Sequence, residues 1–305
     1  MFLCLLIKFI FIMLAIAYFT LLERKILSLS QMRLGPNKVL MLGLIQPILD
    51  GLKLMKKLLI MSLNSMVLFL MMNSMWMFSI SMLLWFMFPF FALMNKSSFF
   101  LWILLLFGFL SYFILMIGWS SMNKFSYLGG TRSLSQSLSF EILILLIMTP
   151  PFMISKCSLL TLSNKFSLIN FTMILVFFIL SILECQRSPM DLSEGESELV
   201  SGYNVELSSI TFIFVFLGEY NTMIFMMMVM WFIYYTMSLF FLFISLSLML
   251  LIRSCFPRIR YDFLMSLFWF KILPLIIIML MIIMSFKMFS NSSDLTYNMK
   301  LYYKY

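Results

Sequence analysis

Residues Tyr220–Ile252 read YNTMIFMMMVMWFIYYTMSLFFLFISLSLMLLI, 33 consecutive positions without a charged side chain. Water does not solvate such a run, and an ordinary globular core is not wide enough to hide it. A bilayer core about 30 Å thick is crossed by roughly 20 helical residues. With the residues before Glu219, the stretch is therefore long enough for two crossings. The rest of the chain has the same character: of 305 residues, 63% are apolar and 11% charged, where a soluble domain carries roughly 25% charged residues. Composition alone excludes a soluble enzyme, a nucleic-acid binder and a secreted disulfide scaffold. The excess of bases, 21 against 12 acids, records orientation in the membrane.

Outward from that stretch, apolar runs predict further spans at residues 2–22, within 64–91, at 97–118, 134–155, 166–183 and 264–285, with helices six and seven near 211–231 and 234–252. The expectation is an all-α integral membrane protein of eight transmembrane helices, a single domain over 1–290 followed by a polar tail, 291–305. The first run ends at Glu23-Arg24-Lys25 without a small-residue cleavage site and reads as a retained helix. If both termini share one side, the loops 23–63, 119–133, 184–210 and 253–263 lie opposite. Those loops hold 13 of the bases, including all seven arginines, and so form the inner face by the positive-inside bias. Within the first loop, Lys53, Lys56 and Lys57 share one helical face opposite Leu and Met. That pattern predicts an amphipathic helix lying in the interface.

The acids are not spread evenly. Glu184, Asp191, Glu194, Glu196, Glu198, Glu206 and Glu219 fall within 36 residues that contain one base, Arg187. In Ser193-Glu194-Gly195-Glu196-Ser197-Glu198 three carboxylates alternate, close enough to titrate as a coupled set and exchange protons near neutral pH. A solvated acidic loop docked on a basic partner satisfies the same pattern. Glu141 and Glu219 lie inside spans; at about 1.5 Å per residue Glu141 sits about 10 Å below the inner end of its helix. A carboxylate at that depth marks a proton or ion path; the alternative is a structural pair with an inner-face Lys or Arg. The chain has no histidine, and Cys4, Cys157, Cys185 and Cys255 are scattered. Without histidine there is no His-ligated haem or zinc, and iron–sulfur clusters and structural zinc need clustered thiolates, so no metal or haem is expected in this chain; no flavin is expected either.

Several segments together carry a resemblance. They are Leu21-Leu22-Glu23-Arg24-Lys25-Ile26-Leu27, the turn Arg33-Leu34-Gly35-Pro36-Asn37-Lys38, and Gly129-Gly130-Thr131-Arg132 with Gln136 and Glu141. The run from Ser193 to Glu206 and Phe256-Pro257-Arg258-Ile259-Arg260-Tyr261-Asp262 complete the set. The chain resembles the family of quinone-chamber membrane subunits of respiratory complex I, NADH–ubiquinone oxidoreductase, over essentially its whole length. The Met- and Phe-rich composition resembles an organelle-encoded member. The resemblance implies a core subunit of a proton-translocating NADH:ubiquinone reductase in the mitochondrial inner membrane, with termini on the intermembrane-space side and the acidic loop on the matrix side. It implies ubiquinone as a substrate bound with neighbouring subunits. The implied partners are the peripheral iron–sulfur subunits, the small and antiporter-like membrane subunits, and the lipid bilayer. Position by position, it implies that Glu23, Arg24, Asp50, Arg132 and Arg187 line or support a quinone tunnel. It implies that Glu184, Asp191, Glu194, Glu196, Glu198 and Glu206 form the acidic loop, and that Glu141 and Glu219 begin the proton path. Arg258, Arg260 and Asp262 would hold the last inner loop. An ion-coupled transporter, or the related membrane subunit of a hydrogenase complex, are the alternatives; the former lacks support from an internal repeat.

Overall fold

Leu, Ile, Met and Phe surround most of these helices on all sides, without a polar stripe, and a helix of that kind belongs in lipid or in a core. A computed structural model describes residues 2–39, 41–58, 65–90, 96–154, 167–184, 186–191, 202–234 and 239–285. Among them the regular structure is helical, with no strand. The helices are α1 (Phe2–Ser30), α2 (Gln46–Lys56), α3 (Val67–Phe90), α4 (Lys96–Ser120), α5 (Lys124–Ile154), α6 (Ser167–Glu184), α7 (Ser209–Tyr234), α8 (Leu239–Cys255) and α9 (Tyr261–Ser285). The last includes one π-helical segment, Leu267–Ile272. Six helices, α1, α3, α4, α5, α7 and α9, are long and apolar enough to cross a membrane. Two more apolar stretches, Thr172–Glu184 and Phe240–Cys255, are shorter.

Packing arranges five of these helices in a closed ring. α3 meets α4 and α7, α4 meets α5, α5 meets α6, and α6 returns to α7. α1 lies outside the ring against α2, α7 and α8. Buried Phe107, Phe140, Phe177 and Phe225 fill the ring interior from four of its members. Serines inside it, such as Ser74, Ser81, Ser111, Ser139 and Ser181, return their hydroxyls to the carbonyl three residues back. A polar side chain is thereby satisfied without water.

Two helices run past the limits that hydropathy sets. α1 continues eight residues beyond Leu22, through Glu23-Arg24-Lys25 to Ser30. α5 starts at Lys124, ten residues before the expected Leu134, so the Gly-Gly-Thr-Arg segment and most of the expected 119–133 loop are helix. Loss of apolarity marks where lipid ends, not where backbone hydrogen bonding ends. The glycines serve packing: a Cβ on Gly129 would sit 2.7 Å from the Tyr203 amide nitrogen, and one on Gly118 would sit 3.2 Å from the Cα of Gly130. In the first loop, Pro47 opens α2, where proline costs no hydrogen bond. Lys57 caps that helix in extended backbone, so it leaves the face shared by Lys53 and Lys56. The tail 291–305 and the alternating-acid run 193–198 lie outside the described residues.

Candidate functional site

Three clusters of ionisable side chains sit along the flank of α7 and inside the ring. The first joins α1, α7 and α8. Glu23 is 8% exposed; its carboxylate pairs with Arg253 at the end of α8 and accepts a 2.6 Å hydrogen bond from the Tyr220 hydroxyl. Arg253 also donates to the Ser188 hydroxyl at 2.9 Å. A carboxylate this far from water persists as an ion only where charge and hydrogen bonds replace its hydration. The sequence quotes Glu23 as a candidate but gives no sign that Arg253 is its counter-ion, since 230 residues separate them.

The second cluster is built on the preceding residue of α7. Glu219, 7% exposed, binds Arg187 at 2.8 Å through one oxygen and accepts the Tyr203 hydroxyl on the other. Arg187 lies over the faces of Phe216 at 5.4 Å and Tyr220 at 5.2 Å, a placement in which the aromatic quadrupoles attract the cation. The rings of Phe216 and Tyr220 approach to 4.4 Å. Arg187, Tyr220 and Glu23 thus form a continuous chain of contacts from the loop after α6 to α1. Glu219 displays a structural pair with an arginine, Arg187.

The third cluster lies inside the ring. The Glu141 carboxylate of α5 faces Gly108 of α4, where a Cβ would stand 3.6 Å from its oxygen, and it hydrogen-bonds Ser111. Glu184, at the end of α6, lies within electrostatic reach of Glu141. One oxygen of each, Oε1 of Glu141 and Oε2 of Glu184, is buried without a hydrogen-bond partner. Between α3, α4, α5, α6 and α7 a cavity of about 20 Å³ is bounded by Ser111, Ser137, Glu184, Glu219 and Thr222. That is room for about one water.

A cleft of about 240 Å³ opens between α1, α2 and α7, away from the ring. Ile16, Thr20 and Arg24 line it from α1, Pro47, Asp50 and Leu54 from α2, and Phe212 and Phe216 from α7. Arg24 binds Asp50 at 2.6 Å, and Gln46 donates to the other Asp50 oxygen at 3.0 Å. Its wall is therefore mostly apolar, with Thr20 and one ion pair as its polar side chains, and Phe216 belongs both to the cleft and to the Arg187 stack.

Other candidates are placed elsewhere. Arg132 stacks on Tyr261 at 5.7 Å, and Tyr261 bonds Ser135 at 2.8 Å, so this motif joins α5 to α9. Asp191 faces Arg258 at 3.5 Å, and the Ile259 amide donates to the Pro189 carbonyl at 3.0 Å, which ties the segment after α6 to the segment after α8. Glu206 accepts from Asn123 at 2.8 Å, and Arg260 pairs with Asp262 at 3.4 Å on the surface. Gln136 reaches the carbonyl of Leu183 at 2.9 Å and closes α5 on α6. Glu194, Glu196 and Glu198 lie outside the described residues. Among the described residues no group of His, Cys, Asp and Glu is arranged to hold a metal ion.

The family model for NADH dehydrogenase matches residues 3–284. The chain belongs to that family, the family of NADH-ubiquinone oxidoreductase chain 1. It is 37% identical to NADH-ubiquinone oxidoreductase chain 1 of Apis mellifera ligustica, covering 93% of this chain and 97% of that one. The chain 1 proteins of Artemia franciscana and Aedes aegypti are 34% and 36% identical, and each match covers 87% of this chain. They span 92% and 88% of those relatives. As a chain 1 protein it is a membrane subunit of complex I, a respiratory-chain oxidoreductase assembled from several subunits.

Proposed function

We propose that this chain forms much of the ubiquinone tunnel of complex I and couples quinone reduction to proton translocation. In this reading ubiquinone takes two electrons from centres held by peripheral subunits, together with two protons, and leaves as ubiquinol. No redox centre in this chain takes part. The cleft between α1, α2 and α7 receives the isoprenoid tail along Ile16, Leu54 and Phe212, and the Arg24–Asp50 pair presents donors and acceptors at its rim. The buried pairs of Glu23 and Arg187 hold the surrounding charge. α2 lies amphipathically in the interface, with Ile48, Leu52 and Met55 exposed to lipid. All eight apolar helices cross the mitochondrial inner membrane, with both termini outside and the acidic loop on the matrix side.

The observation that carries the reading is Phe216, whose ring lines the cleft and also stacks beneath Arg187. A change of charge beside the cleft shifts the field at Arg187 and Glu219 without any side chain having to travel far. Glu219 bounds the ring cavity with Glu184, and Glu184 senses Glu141. Asp191, Glu194, Glu196, Glu198 and Glu206 supply the acidic set that exchanges protons with the matrix. The deciding experiment irradiates the intact complex with a ubiquinone analogue bearing a photoreactive tail. Label on residues 16–24, 47–54 and 212–217, displaced by excess ubiquinone, is the expected result. Displaceable label confined to other parts of the chain would overturn the reading.

A further inference from the structure

We propose that the groove between the end of α2 and the start of α7 is a binding site for one glycerophospholipid, held by its phosphate. The groove has a volume of about 520 Å³ and is lined by Leu54, Lys57, Leu58, Leu207, Ser208, Ser209 and Phe212. Four of these are apolar and three can donate a hydrogen bond, and two of the donors, Ser208 and Ser209, adjoin at the start of α7. The first amides of a helix have no partner within it, and they present a positive field to anions. A Ser at the N-cap ordinarily turns its hydroxyl to those amides. Here the Thr211 hydroxyl receives the Ser208 N–H at 3.1 Å and itself donates to the Ser208 carbonyl at 2.7 Å. The Ser208 and Ser209 hydroxyls are left buried without a partner. Ser209 is 7% exposed, so its hydroxyl has little recourse to water.

Lys57 supplies the counter-charge. It departs from the helical face of Lys53 and Lys56 through extended backbone, and its side chain lines the groove. An ammonium, two hydroxyls and a helix start together match a phosphate diester. Neutral quinone carbonyls would not use the charge, and free phosphate would not use Leu54, Leu58, Leu207 and Phe212. The phosphate rests at the donors and an acyl chain follows the apolar wall. Leu54 and Phe212 also line the neighbouring cleft, so the lipid forms one side of that cleft. The site itself does not depend on what the cleft holds.

The test uses the assembled complex reconstituted in phosphatidylcholine vesicles doped with phosphatidylglycerol that carries a diazirine on its acyl chain. Label is expected on residues 54–58 and 207–212, saturable by unlabelled phosphatidylglycerol. Lys57→Gln and Ser209→Ala are each expected to lower its yield roughly tenfold below saturation, the loss of one charge-assisted hydrogen bond. Lys53→Gln should leave it unchanged. Should a variant fail to assemble, saturation in the wild-type complex still decides. Equal labelling by a diazirine diacylglycerol, or displacement by millimolar inorganic phosphate, overturns the lipid assignment. So does an amine-reactive crosslink that joins Lys57 to a neighbouring subunit. The ubiquinone photoprobe is expected to label α1, which lies outside this groove, so failure here and failure of the tunnel reading are separately visible.

Discussion

The Tyr220 hydroxyl donates to Glu23 at 2.6 Å across 197 residues of chain, and so fastens the middle of α7 to the end of α1. Glu23 also holds Arg253, so one buried carboxylate joins three helices. Tyr220→Phe removes the donor but leaves the ion pair. The expected cost is that of one lost hydrogen bond to a charged, buried acceptor, about 1.5–3 kcal/mol. The detergent-solubilised complex should melt several degrees lower with its composition unchanged; an unaltered midpoint would show that the bond contributes nothing.

Glu23→Gln acts on the same site with a different outcome, because it leaves the Arg253 guanidinium buried without a counter-ion. Breaking a buried pair on one side costs about 3–5 kcal/mol, so the variant is expected to assemble poorly on a native gel. Glu23→Gln combined with Arg253→Met should recover part of the assembled complex. No recovery in the double variant would mean that the charges act separately.

Glu219 and Glu141 are not equivalent targets. Glu219→Gln removes the charge that Arg187 pairs with and weakens a structural link, so assembly and turnover should fall together. Glu141 touches Ser111 and faces Gly108; Glu141→Gln keeps the polar volume in place. The expected phenotype is a fully assembled complex that reduces quinone with impaired proton pumping. Pumping at the wild-type ratio in Glu141→Gln would remove this residue from the proton path.

The Arg24–Asp50 pair is half exposed, with the Arg24 side chain 51% accessible, so it contributes little to stability. Arg24→Ala should therefore assemble normally and raise the KM for ubiquinone several-fold, while the α2 surface change Lys53→Ala leaves it unaltered. Equal kinetics in the two variants would argue that the cleft is not a quinone path.

Neighbouring glycines offer a steric contrast. Gly129→Ala places a methyl 2.7 Å from the Tyr203 amide, which displaces the turn that seats Tyr203 on Glu219; at Gly130 the nearest atoms are 3.5 Å away. Gly129→Ala is expected to reduce assembled complex sharply and Gly130→Ala hardly at all, by comparison of band intensity after equal expression.

Hydropathy locates α3, α4 and α6 within a few residues, because lipid demands apolar side chains along the whole crossing. It misplaces the end of α1 and the start of α5, where helix continues into charged sequence such as Glu23-Arg24-Lys25 and Gly-Gly-Thr-Arg. The site is legible as a set of unusual residues, since Glu23, Arg187 and Glu219 are costly in an apolar chain. Their partners are not legible. Arg253 and Tyr203 look like an ordinary helix-end base and an ordinary loop aromatic, and only the fold brings them to Glu23 and Glu219. The helix six–seven boundary was expected near residues 231–234; α7 runs to Tyr234 and α8 resumes at Leu239, with 235–238 outside the described residues.

The 230-residue interval between Glu23 and Arg253 also sets a schedule for biosynthesis. α4 and α5 can zip together at Gly118 and Gly130 soon after leaving the ribosome. The first helix must wait in the bilayer with its acid uncompensated until most of the polypeptide has been translated. A prematurely terminated product that stops before α8 never supplies the guanidinium, and leaves Glu23 without that counter-ion.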